Sequence, residues 1–87
     1  MGQVIQLTTV QPLFDAVWNG TKTAVIQPNA RDYKVGDLLE LKEYDLVKNK
    51  FGERIIPVLI THVLKADHQH HWGLREGFVM LSFKVMA

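Results

Sequence analysis

GTKTAVIQPNARDYKVGD, residues 20–37, decides how the rest of the chain is read. Gly20 sits where a left-handed helix cap is wanted, so the helical pattern before it must end there. Thr23 to Gln27 has strand composition, and Pro28-Asn29 stops it, because proline cannot donate to a ladder and asparagine tolerates turn geometry. Asn29 to Lys34 is then a polar loop, and Val35-Gly36-Asp37 a tight turn that feeds the next strand.

Working outward, the spacing of Leu13, Phe14, Val17 and Trp18 predicts a helix over Thr9–Asn19, with Pro12 in its first turn. Val4 to Thr8 reads as a strand, with Ile5 and Leu7 alternating toward one face. Downstream, Leu39 and Leu41 alternate with Glu40 and Lys42 in a strand from Leu38 to Tyr44. Lys48 to Gly52 supplies an antiparallel hairpin turn. Ile55 to Leu64 is the longest β-type run, with Ile56, Val58, Ile60 and Leu64 on one face; its Pro57 predicts an edge or a bulge. Ala66 to Gly77 has no sustained period and reads as a loop. Phe78 to Met86 is a last strand, with Val79, Leu81, Phe83 and Val85 on one side.

An 87-residue chain supports a single domain with one modest core. Hydrophobic residues at 47% and charged ones at 22% are those of an ordinary soluble globular protein. Ten Lys+Arg against nine Asp+Glu leave a net charge of +1, so bulk charge draws the chain neither to nucleic acid nor to membrane, and an electropositive site must come from local clustering. The absence of cysteine excludes disulfides, thiolate chemistry and Cys-ligated zinc. No apolar run is long enough to span a bilayer, and a cytoplasmic protein is expected. Five or six short strands with one early helix favour a mainly β architecture, a small, strongly bent or closed β-barrel capped by the N-terminal helix. Phe14, Val17 and Trp18 should pack that helix against Leu39, Leu41, Val58, Ile60, Leu81 and Phe83.

Several blocks carry a resemblance that reaches almost end to end: Pro12-Leu13-Phe14, Gly20-Thr21-Lys22, Arg31-Asp32-Tyr33-Lys34-Val35-Gly36-Asp37, Glu43-Tyr44, Phe51-Gly52-Glu53-Arg54, and Gly73-Leu74 through Gly77-Phe78-Val79-Met80-Leu81. In these the chain resembles small ASCH-type domains of the PUA-like superfamily, and more narrowly a stand-alone bacterial and phage family named only as a domain of unknown function. The resemblance implies a PUA-like barrel, with one or two short helices, that binds RNA or another nucleic acid. Such domains usually place a glutamate three positions after the motif lysine and often an arginine two further on, where this chain has Val25 and Gln27. A relative that hydrolyses N4-acylated cytidine uses a lysine and a threonine of this motif with a distant glutamate; here Lys22 stands but Val25 occupies the threonine position.

Lys22 can contact a phosphate or, if desolvated, relay a proton, and otherwise is a solvated lysine at a strand entrance. Arg31, Tyr33 and Lys34 put two cations around an aromatic ring, the composition used to grip a backbone and stack a base, although Tyr33 could equally plug the core beneath the loop. For Arg31 the alternative is an ion pair with Asp32 or Asp37. Arg54 and Lys65 are candidates for the same surface. The expected site is therefore Lys22, Thr23, Gln27, Arg31, Tyr33, Lys34 and Arg54 in one basic cleft, with RNA as the expected partner. His68, His70 and His71 supply three imidazoles at most, too few for a compact zinc site unless His62 or Asp67 joins them, and Trp72 reads as the anchor of a polar loop. No metal or cofactor is expected. Val25 argues against catalysis, since nucleophilic chemistry needs a hydroxyl, thiol, amine or carboxylate paired with a base. The alternatives are a small amidohydrolase of N4-acylated cytidine-type nucleosides and a protein-interaction module.

Overall fold

The computed structural model describes residues 2–66 and 73–86. Strand β1 (Val4–Val10) runs directly into helix α1 (Gln11–Trp18), and β2 (Ala24–Pro28), β3 (Leu38–Asp45), β4 (Lys50–Lys65) and β5 (Phe78–Val85) follow. All five strands belong to one sheet in the order β1-β3-β4-β5-β2. β1 lies parallel to β3, with Val4 opposite Leu38 and Val10 opposite Tyr44, whereas β3, β4, β5 and β2 are joined antiparallel. The sheet curls into a half-barrel around a core of Phe14, Leu39, Leu41, Val58, Ile60, Val79 and Leu81. Of the two forms expected for the barrel, the strongly bent one is found: β1 and β2 remain edges, and a gap separates them.

The helix is shorter than its periodicity predicts because Thr9 and Val10 are taken into the β1–β3 ladder opposite Glu43 and Tyr44. Val10 is accordingly extended (φ −65°, ψ 150°), and Pro12 falls in the first turn, where its missing N–H is not needed. Gly20 has φ +79°, and the N–H groups of Asn19 and Gly20 close the last turn on Asp15 and Val17.

Phe14 is fully buried and Val17 nearly so, as expected, but Trp18 is 56% exposed. Its ring stacks on Phe14 at 6.1 Å, and the Arg54 guanidinium lies 5.0 Å from it, so packing holds one part of the indole while the rest meets solvent. Pro57 stands in a central strand, not at an edge. A strand residue directs its N–H and C=O to the same side, and the Pro57 carbonyl accepts the Met86 N–H just beyond the end of β5. The absent donor therefore faces the place where β4–β5 pairing, which starts at Val58, has run out. A register shift between Ile60 and His62 turns Val63, rather than Leu64, toward the core. The hairpin turn comes earlier than expected: Asn49 adopts φ 53°, the Asp45 carboxylate accepts the Val47 and Lys48 N–H groups, and Phe51-Gly52 lies within β4. No helix among the described residues is long and apolar enough to cross a membrane.

Candidate functional site

The gap in the half-barrel forms a cleft of about 180 Å³ between the two edge strands. Thr8, Thr9 and Val10 of β1 line one wall and Lys22, Val25 and Gln27 the other, with Leu13 and Val17 of α1 and Leu41 and Phe83 of the core completing it. Lys22 is delivered there by the helix cap, because its N–H, like that of Thr21, bonds the Ala16 carbonyl. Its lining is mainly apolar, with Lys22, Gln27, Thr8 and Thr9 as the polar residues. Among the described residues no carboxylate lines it. Thr23 is exposed, and its carbonyl accepts the Phe83 N–H, so its backbone belongs to the sheet while its side chain does not line the cleft.

The 31–37 segment divides its residues between inside and outside. Tyr33 is 4% exposed and belongs to the core, so its ring offers no face for a base while the loop holds this conformation. The plug, weighed equally on sequence, is what the fold uses. Asp37 is also buried. One of its oxygens accepts the Gln3 N–H at 2.8 Å and the other the Lys34 N–H at 2.9 Å, which ties the entry of β1 to the loop. Gly36 has φ +95°; its N–H donates to the Ile60 carbonyl of β4, and the Ile60 N–H donates to the Asp37 carbonyl. A Cβ on Gly2 would strike the Gly36 carbonyl, so the backbone at residue 2 and that of the turn touch here.

Arg31 and Lys34 are exposed. The Lys34 ammonium is 3.6 Å from Asp32, and that of Lys65 is 3.9 Å from the same carboxylate, both solvent-exposed pairs of small energetic weight. Arg31 has no ion pair among the described residues. It lines an open groove of about 450 Å³ on the outer face of β1 and β3, together with Val4, Gln6, Thr8, Lys42 and Phe51.

Arg54 goes elsewhere. Its Nη2 donates to Glu43 at 2.7 Å and to Asp15 at 2.8 Å, its Nε reaches the other Glu43 oxygen at 3.3 Å, and its plane lies 4.9 Å from the Phe14 ring. Glu43 is 5% exposed and also accepts from Gln11. The hydrogen bonds from Arg54, against the opposing effect of burial and with help from Gln11, bring its pKa down to about 2. Glu43 and Asp15 in turn push the guanidinium's pKa up. A Cβ on Gly52 would run into the Glu43 carboxylate, so glycine is what lets β4 pass over this clamp. Arg54 is thus committed to joining α1, β3 and β4.

The seven expected residues do not form one cleft. Lys22 and Gln27 share the gap between the edges, Arg31 lines the outer groove, Lys34 lies beside Asp32, Thr23 is exposed, and Tyr33 and Arg54 have structural partners. Sequence reading missed Lys42 and Phe51. Lys42 had looked like one polar member of a half-buried strand and Phe51 like part of a turn, and only their alternation away from Leu41 and Ile56 hinted at a shared outer face. The readings on His68, His70, His71 and Trp72, and on Asp67 as a partner for them, lie outside the described residues. Among those that are described, no group of three or more His, Asp or Glu side chains is placed to hold a metal.

A curled five-stranded half-barrel with one short helix, open along a cleft between its edge strands, is the class of small β domain defined here. The chain belongs to the family described as a domain of unknown function, DUF3850, whose model matches residues 4–83. No curated protein matches the chain significantly.

Proposed function

We propose that this protein is a PUA-like, ASCH-type module that binds single-stranded RNA and holds one base in the cleft between β1 and β2. The observation that carries this reading is the convergence of Lys22 and Gln27 on an apolar cleft at the one place where the curled sheet stays open. A nucleobase has apolar faces and a hydrogen-bonding edge, and the cleft offers Val25, Leu13 and Phe83 to the first and the Gln27 amide, with a donor and an acceptor, to the second. Its volume, about 180 Å³, is below the 300–1,000 Å³ typical of drug-sized sites and suits a single ring system. The Lys22 ammonium at the rim supplies the charge for an adjoining phosphate.

Anisotropy titration of a labelled single-stranded RNA tests this. Lys22→Ala should weaken binding and lower the salt slope by about 0.7, the contribution of one phosphate. Val25→Phe, which fills the cleft without changing charge, should weaken binding and leave the slope alone. Binding indifferent to both, or no binding at low salt, moves the reading to a protein-interaction module.

Hydrolysis of N4-acylated cytidine is the second reading, favoured by Thr9, which lies on the inner face of β1 and lines the cleft with Lys22. Among the described residues no carboxylate lines the cleft to act as base, and Val25 holds the position that the resemblance gives to threonine. The purified protein should show no such turnover. Hydrolysis abolished by Lys22→Ala would replace the binding role with a catalytic one.

A further inference from the structure

The geometry points to the outer groove of Arg31, Lys42 and Phe51 as a second contact for the same strand, a track along which single-stranded RNA runs before one base turns over the β1 edge into the cleft. The inference rests on the RNA-binding reading above and adds to it residues that lie on the opposite side of β1. Four observations converge. Phe51 is 52% exposed, an unusual position for a phenyl ring in a small domain, yet it is fixed: Tyr44 meets it edge to face at 5.0 Å and the Lys42 ammonium lies 5.4 Å from its centroid. A ring held in place yet half exposed suits base stacking, since every base has a π-face and part of the ordering cost is already met.

Second, the cations suit a backbone. Arg31 has no ion pair among the described residues, and Lys42 contacts only the neutral Gln6 oxygen, at 3.5 Å, and the Phe51 ring. Glu40, opposite Gln6, is engaged by the Gln6 amide at 3.2 Å, and the described residues that line the groove include two cations and no carboxylate, in a chain whose charges almost cancel. Third, Gln6 and Thr8 place an amide and a hydroxyl on the groove floor, groups that can pair with a ribose 2′-hydroxyl. Fourth, Thr8 lines both the groove and the cleft, so the two adjoin across a single edge strand. A duplex presents no free base faces to such a ring, and the occupant is therefore a single strand.

The test is the same anisotropy titration with a single-stranded RNA of about ten nucleotides, a length within the range one small β domain covers. Phe51→Ala should weaken binding roughly 5- to 150-fold with an unchanged salt slope, and Phe51→Trp should restore it. Lys42→Ala and Arg31→Ala should each lower the slope by about 0.7. Thr8→Val should weaken RNA more than DNA of the same sequence. Thermal unfolding of each variant separates loss of contact from loss of fold, and Phe51→Trp keeps the test decisive if the alanine variant unfolds. RNA binding lost in Val25→Phe but untouched by the Phe51, Lys42 and Arg31 substitutions overturns the track and leaves the cleft reading standing. Sensitivity to the groove substitutions with indifference to Val25→Phe does the reverse. Equal affinity for the matching DNA, wild type and Thr8→Val alike, overturns the assignment to RNA.

Discussion

Glu43 receives three donors, two from Arg54 of β4 and one from Gln11 of α1, and these bonds favour its ionised form. Its pKa, lowered from 4.5 to about 2 by those bonds, sets the sign of a pH effect. Between these values the unfolded chain binds the proton more readily than the folded one, so stability rises with pH across that window. The contribution is complete above about pH 4.5 and is lost as pH falls toward 2. Denaturant unfolding at a series of pH values should therefore show acid destabilisation of the wild type, and Glu43→Gln should be less stable at neutral pH and flatter below pH 4.5. A variant with the same acid profile as the wild type would mean that other carboxylates govern it.

At the scale of elements, Asp37 and Phe14 are the two fastenings to test. Asp37→Ala removes the acceptor of the Gln3 and Lys34 N–H groups in a buried place, and leaving buried donors unpaired costs about 1–3 kcal/mol. Hydrogen exchange of those two amides should accelerate more than that of the β4–β5 ladder. Phe14→Ala empties the contact between α1 and the sheet and should cost about 3–5 kcal/mol in denaturant unfolding. Trp18→Ala should cost clearly less, because the indole is half in water already. An equal cost for the two would show that the Trp18–Arg54 contact carries the helix.

Across the whole molecule, the parallel pairing of β1 with β3 and the pairing of β2 with β5 join segments far apart in the chain, and loop closure must precede the reward of either. Refolding followed by tryptophan fluorescence should fall in the millisecond-to-second range, and microsecond refolding would contradict this topology. The chain by itself determined the strand segments, the helix ended by Gly20, the buried alternation of Leu39, Leu41, Val58, Ile60, Leu81 and Phe83, and the turn at Gly36, because periodicity and turn chemistry act over a few residues. It could not decide that Thr9 and Val10 are strand, that Pro57 is central, or that Arg54 serves Glu43, since each depends on a partner that only the fold brings near. For the candidate site the same limit applies. Lys22, Gln27 and Arg31 were legible as residue types, but which face of an edge strand each one serves was not. Whether Tyr33 pointed in or out, and whether Phe51 stood beside Lys42, was settled only by the curl of the sheet, because contact across strands is a property of register and curvature rather than of sequence neighbours.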